Sequence, residues 1–286
     1  MAKIRKILVP IDFSAAAAGA VRYSDSLAAR FDAEVTLLHV APPLGFDFAM
    51  AQPTLRRHQE LTAHRDNLLQ QAFQSFSGPE HNRPRILAEG DPSEEIVRLA
   101  HDDGFDMIVM PTHGRRPLAR WLFIGSVTTK VLHQAECAVL AGVDFPRHEG
   151  PLALNHILCA LDLGPQSEKV LCWGWGLARL TSARLTVVHA APGAGETASD
   201  FFDEAWRSTL ATRLRERVGQ LQKATGAEGE VVVESGDPHK VVARTAAKLD
   251  ADLVIIGRGA SEGLLGRLRA HAYEIIRLSP CPVVSI

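Results

Sequence analysis

Short, nearly unbroken apolar runs alternate along this chain with longer stretches in which apolar residues return every three or four positions. The runs Ile7-Leu8-Val9-Pro10-Ile11, Val35-Thr36-Leu37-Leu38-His39-Val40 and Met107-Ile108-Val109-Met110 are too continuous for strands with one wet face. They predict strands buried on both faces, as in a parallel sheet. Between the first two, Ala17, Val21, Leu27, Ala28 and Phe31 share one face of a helix over 14–31. Leu61, Leu68, Ala72 and Phe76 do the same for the next helix. Asp91-Pro92-Ser93-Glu94 predicts a further helix start, with Asp91 as N-cap, Pro92 in the first turn and Glu94 placed to close a capping box.

The whole pattern occurs twice. Ile7-Leu8-Val9-Pro10-Ile11-Asp12 is answered by Ile157-Leu158-Cys159-Ala160-Leu161-Asp162, and Val35-Thr36-Leu37-Leu38-His39-Val40 by Leu185-Thr186-Val187-Val188-His189-Ala190. Gly90-Asp91-Pro92 returns as Gly236-Asp237-Pro238, Asp106 to Met110 as Asp252 to Ile256, and Cys137-Ala138-Val139-Leu140 as Cys281-Pro282-Val283-Val284. Five blocks in one order establish a duplication. Strand–helix alternation in each copy predicts two tandem α/β domains, each a five-stranded, doubly wound parallel sheet. Ligands in such sheets bind at the carboxyl ends of the strands, near the switch point. We place the domains at 1–146 and 155–286. The linker runs from Asp144 to Leu154 and contains Pro146, Gly150 and Pro151. So short a linker predicts domains that pack on each other.

Composition narrows the function without naming it. A formal net charge of −2 over 286 residues gives no global pull toward nucleic acid or anionic membranes. The apolar run behind the basic start ends at Asp12, too short for a signal-peptide core or a membrane span, and predicts a cytoplasmic protein. Cys137, Cys159, Cys172 and Cys281 form no CxxC and no metal-ligand spacing, and read as reduced thiols. Cys137 and Cys281 read as small core residues at the start of strand five. His58 and His64 are six apart, which does not bring both to one helix face. No nucleophile elbow, Walker lysine motif, early GxGxxG or zinc-enzyme motif is present, so catalysis is not the first expectation.

After the fourth strand come Pro111-Thr112-His113-Gly114, ten residues, and then Gly125-Ser126. With Asp12 at the end of strand one, this resembles the universal stress protein family, members of the adenine-nucleotide alpha-hydrolase-like superfamily. Its ATP signature is Gly-x-x-Gly, nine residues, then Gly-Ser or Gly-Thr. The resemblance covers nearly the whole chain, twice, and implies Rossmann-like domains related by a pseudo-twofold. It implies ATP, with or without Mg²⁺, held by Asp12 around the adenosine and by the backbone of Val40 at the base. It also brings in Pro10, Ile11 and Met110 at strand ends, Gly114 and Arg115 in the loop, and Gly125, Ser126 and Val127 at the last helix. Glycines admit phosphate oxygens to backbone N–H groups, and a helix amino end favours an anion. Arg115, Arg116 and Arg120 are placed to neutralise phosphate charge or to lie solvated at the surface.

Two departures are visible in the first copy. Pro111 stands at the family's first glycine and removes one backbone donor, and the loop is one residue longer. The second copy departs further. Gly257 remains, Ala260 replaces the second glycine, and the last-helix start falls on Ala270-His271 or, counting back from Cys281, on Arg269-Ala270. Neither restores Gly-Ser, so this copy is expected to bind ATP poorly or not at all despite Asp162. Plainer readings stand beside these. Asp12 and Asp162 suit helix caps, Gly114 and Gly125 suit turns, and His39 and His189, at equivalent strand ends, suit structural hydrogen bonds. Leu118, Trp121, Leu122, Phe123 and Ile124, with Leu264, Leu265 and Leu268, suit core packing or a docking patch.

The expectation is therefore a stress-response protein whose partner is an adenine nucleotide, with an unidentified protein reading the bound state. The alternatives are a nucleotide-independent interaction module and a slow ATPase. Single-domain relatives pair through strand five, so the resemblance implies that Val139-Leu140 meets Val283-Val284 within one chain as an intramolecular pseudo-dimer. Two such chains forming a homodimer is left open.

Overall fold

The computed structural model describes residues 4–42, 66–73, 76, 83–114, 124–143, 145, 152–191, 204–258 and 270–286. The apolar runs form the expected strands. The first half comprises β1 (Lys6–Pro10), α1 (Ala15–Phe31), β2 (Glu34–Ala41), α2 (66–73), β3 (Arg85–Glu89), α3 (Pro92–Asp102), β4 (Met107–Pro111), α4 (Ser126–Gln134) and β5 (Ala138–Gly142). The second half repeats it with β6 (His156–Ala160), α5 (Ser167–Thr181), β7 (Arg184–Ala191), α6 (Glu204–Thr225), β8 (Glu230–Ser235), α7 (Pro238–Lys248), β9 (Leu253–Ile256), α8 (Ala270–Leu278) and β10 (Val283–Ser285).

All ten strands join one sheet in the order β3-β2-β1-β4-β5-β10-β9-β6-β7-β8. Pairing is parallel throughout each half. At the centre β5 and β10 run antiparallel, with Ala141 opposite Val283, Leu140 opposite Val284 and Val139 opposite Ser285. The intramolecular strand-five pairing that the resemblance implied is thus present, and the five-stranded sheets fuse into one. Fusion removes an edge strand from each half, and an exposed edge is a template for unwanted pairing.

Alternate residues of each strand serve opposite faces. Ile7 and Val9 pack into one apolar layer with α1, α2, α5 and α6, while Leu8 packs into the other with α3, α4, α7 and α8. Both layers contain residues from both halves, so the halves share their cores. The linker contributes too. Leu152 and Leu154 are buried, and the Leu152 N–H donates to the Ser26 carbonyl at 3.0 Å. Burying two leucines stabilises the docked state by about 3–6 kcal/mol.

One helix face departs from expectation. Leu68 is 52% exposed, whereas Phe73 is fully buried and Phe76 packs beside it. The cause is local. Phe13 adopts φ 61 after β1, and its ring meets those of Phe73, Phe76 and His39 at 5.4, 5.7 and 4.7 Å. That aromatic cluster sets which side of α2 faces inward. Leu61, His58 and His64 lie outside the described residues. Among the described residues, no helix is long and apolar enough to cross a membrane.

Candidate functional site

The order 3-2-1-4-5 in the first half puts its switch point between β1 and β4, where crossovers leave in opposite directions. A cleft of about 510 Å³ opens there, within the roughly 300–1,000 Å³ usual for small-molecule sites. Its walls include Pro10, Ile11, Asp12, Val40, Met110, Gly114, Gly125, Ser126 and Val127, together with Ile124 and Thr128. Nine of the ten residues expected from sequence therefore meet in one cleft. The tenth, Arg115, lies outside the described residues with Arg116, Arg120, Leu118, Trp121, Leu122 and Phe123.

Local chemistry explains why α4 is set apart. Ser14 caps α1 through its hydroxyl, which accepts the Ala17 N–H at 3.1 Å. Asp91 caps α3, accepting the N–H groups of Ser93 and Glu94 at 2.9 and 3.2 Å. Helix α4 starts on Gly125, which offers no side-chain cap. The first N–H groups of a helix have no partner inside it, and here they belong to cleft residues Ser126, Val127 and Thr128. The turn before them is fixed. Gly125 donates to the Thr112 carbonyl at 2.7 Å, and the Thr128 hydroxyl donates to the Pro111 carbonyl at 3.0 Å. A Cβ on Gly125 would stand 3.3 Å from that Thr112 carbonyl, so glycine serves a close approach rather than an unusual φ.

Asp12 is not the cap of α1, since Ser14 holds that role. Its carboxylate accepts the Ser14 N–H at 3.0 Å, and a Cβ on Gly114 would lie 2.6 Å from its other oxygen. Asp12 and Gly114 are thus face to face at the cleft wall. His39 lies in the same wall, but its Nδ1 donates to the Ile11 carbonyl at 2.8 Å, a structural bond that fixes its tautomer. His189 makes the same bond to Leu161 at 2.8 Å. His113, which the sequence reading passed over, also lines the cleft. Its Nδ1 meets the Thr112 hydroxyl at 2.8 Å, and its buried Nε2 has no partner among the described residues.

The second half keeps the cavity and changes the lining. A cleft of about 520 Å³ lies at the ends of β6 and β9, bounded by Asp162, Ala190, Gly257, His271 and Arg217 among others. Helices α4 and α8 end at Gln134 and Leu278, each three residues before its cysteine, Cys137 or Cys281. The helix ends therefore agree with the alignment counted back from Cys281, which sets Ala270 in register with Ser126. Asp162 is tied down, accepting the Gly164 N–H at 2.8 Å and the Ser167 hydroxyl at 3.3 Å.

The cysteines that open the fifth strands are held as thiols. All four are free, and burial pushes the Cys137 thiol upward and the Cys281 thiol to about 11, so both stay protonated at neutral pH. Both precede their strands and are half-buried, while the fully buried thiol is Cys159 within β6. No group of three or more His, Cys, Asp or Glu suited to a metal occurs among the described residues.

Topology and cleft position define a tandem, doubly wound α/β protein of the Rossmann-like kind, with a crevice at each switch point. The chain belongs to the universal stress protein family, whose profile matches residues 3–141 and again 153–286. A universal stress protein of Mycolicibacterium smegmatis is 26% identical over 276 residues, covering 92% of this chain and 90% of that one. One from Methanothermobacter thermautotrophicus is 36% identical over 84 residues, which is 28% of this chain and 56% of that relative's length. The crystal structure of a universal stress protein from Archaeoglobus fulgidus superimposes with a TM-score of 0.66 at 21% identity, covering 98% of this chain and 95% of that one, and shares its fold.

Proposed function

We propose that this universal stress protein binds one adenine nucleotide, ATP with or without Mg²⁺, in the cleft of its first half, and that a protein partner reads the occupied state. The observation that carries this is the side-chain-free start of α4. Three N–H groups with no partner inside the helix belong to residues of a cleft that Asp12 also lines. Helix amino ends favour phosphate oxygens through those N–H groups and the helix dipole. The Asp12 carboxylate is suited to accept hydrogen bonds from a sugar's hydroxyls. Mg²⁺ would arrive with the nucleotide, since its affinity rests mainly on substrate phosphates.

One observation favours the second reading, a nucleotide-independent interaction module. Pro111 has no N–H, and the Thr112 N–H is spent on the Gly142 carbonyl at 2.9 Å. The loop therefore offers phosphate fewer donors than a glycine pair would. The test is direct. Protein purified under mild conditions is denatured and the supernatant examined by mass spectrometry for adenine nucleotide. Release from the wild type and none from Gly125→Val is expected, because the branched side chain crowds the Thr112 carbonyl and screens the N–H groups. Equal release from both would move the nucleotide away from the Gly125 cleft, and none from the wild type even after incubation with ATP-Mg²⁺ favours the interaction module.

A further inference from the structure

Both ends of α4 are gripped by side chains from the other half of the molecule. Before its amino end, the Ile124 N–H donates to the Tyr273 hydroxyl of α8 at 2.8 Å. Beyond its carboxyl end, the Arg258 guanidinium donates to the carbonyls of Ala135 and Cys137. The same guanidinium reaches back to its own half, to the Ser285 carbonyl at 2.9 Å and the Ser285 hydroxyl at 3.3 Å. Arg258 is only 4% exposed. A cation so buried is tolerated only when its N–H groups find oxygens, so the arrangement is specific rather than incidental.

The pseudo-symmetry shows what the second half has acquired. Arg258 donates its backbone N–H to Ile286 at 3.1 Å as Thr112 donates to Gly142 at 2.9 Å, so the two positions correspond. Tyr273 stands five residues before the last residue of α8, as Thr129 does before that of α4. Where the first half carries two threonines, the second carries a long arginine and a long tyrosine. The repeat that lost the glycine-serine start has gained the side chains that hold its neighbour's helix.

We propose that Tyr273 is a positioning residue for the first cleft, so that the second half sets the aim of the N–H groups that meet the ligand. The inference rests on the nucleotide reading of that cleft. Ile124 is itself a cleft residue, and its N–H goes to Tyr273 while that of Gly125 goes to Thr112. With two successive N–H groups anchored, the next three are held toward the cleft. Donors ordered before binding need not be ordered by the ligand, and that saving appears as affinity. Arg258 fixes the same helix at its far end.

The experiment titrates ATP-Mg²⁺ calorimetrically into the wild type, Tyr273→Phe and Ile276→Val, with amide hydrogen exchange followed on the nucleotide-free proteins. Phe keeps the ring and removes only the hydroxyl. Ile276 is buried in the same helix, and its truncation lowers stability while leaving the Tyr273 hydroxyl in place. Expected are an ATP affinity about three- to tenfold weaker in Tyr273→Phe, faster exchange over 124–128 in that variant, and affinity within about twofold of wild type in Ile276→Val. Unchanged affinity in Tyr273→Phe, or an equal loss in both variants, overturns the inference alone. No binding by the wild type defeats the nucleotide reading and the inference together.

Discussion

The two clefts of this molecule are nearly the same size, about 510 and 520 Å³, and sit at equivalent strand ends. Each keeps its aspartate, Asp12 or Asp162, and its structural histidine, His39 or His189. They differ in the residues aligned at the final helix, Gly125-Ser126 in one half and Arg269-Ala270 in the other. Room therefore does not distinguish the proposed nucleotide cleft from the second one, and neither does the aspartate. The side chains aligned at the final helix do, since glycine lets a ligand approach the backbone where arginine does not. The second half has meanwhile turned its own helix into a support for the first.

The largest expected effect tests that support. Arg258→Met leaves the Ala135 and Cys137 carbonyls without their donor, and unmet buried acceptors cost about 1–3 kcal/mol each. A loss of about 3–5 kcal/mol in chemical denaturation is expected, against about 1 kcal/mol for Thr112→Val at the corresponding place. Equal costs would break the asymmetry. Next, Asp12→Asn should weaken ATP binding about tenfold or more, since bonds to charged groups contribute about 1.5–3 kcal/mol, while Asp162→Asn changes it less than twofold in the same titration. A smaller loss, about threefold, is expected for Gly114→Ala, whose methyl forces the Asp12 carboxylate to turn.

The smallest effect concerns pH. The Asp91 carboxyl lies below its ordinary value because the Ser93 hydroxyl and then the Glu94 N–H donate to the charged form, with a lesser contribution from Lys130. A group lowered on folding contributes fully above its unfolded value, about 3.9, and loses that contribution as pH falls through its lowered one. Asp91→Asn should therefore flatten the acid limb of the stability profile below about pH 4. At the equivalent helix start Asp237 makes no side-chain cap bond and meets Lys240 at 3.2 Å instead.

Much of this was legible before any coordinates. Doubly buried strands betray themselves as unbroken runs, so β1, β2 and β4 and their copies stood out. The Asp91-Pro92 start is a local signal, and the structure obeys it. What escaped was set by distant neighbours. Periodicity showed that α2 has an apolar face, but the strained turn at Phe13 chose Phe73 over Leu68. Tyr273 lies 149 residues from Ile124, and Arg258 lies 123 from Ala135. No spacing rule marks a long side chain that reaches across a pseudo-twofold. The partial exception was the alignment counted back from Cys281, which placed Ala270 opposite Ser126 and so Tyr273 opposite Thr129.

Counting the sites tests the account most directly. Calorimetric titration of the full chain with ATP-Mg²⁺ should give one nucleotide per chain, reduced to none by Gly125→Val. Two equivalent sites per chain, or heats from Gly125→Val equal to those of the wild type, would contradict it.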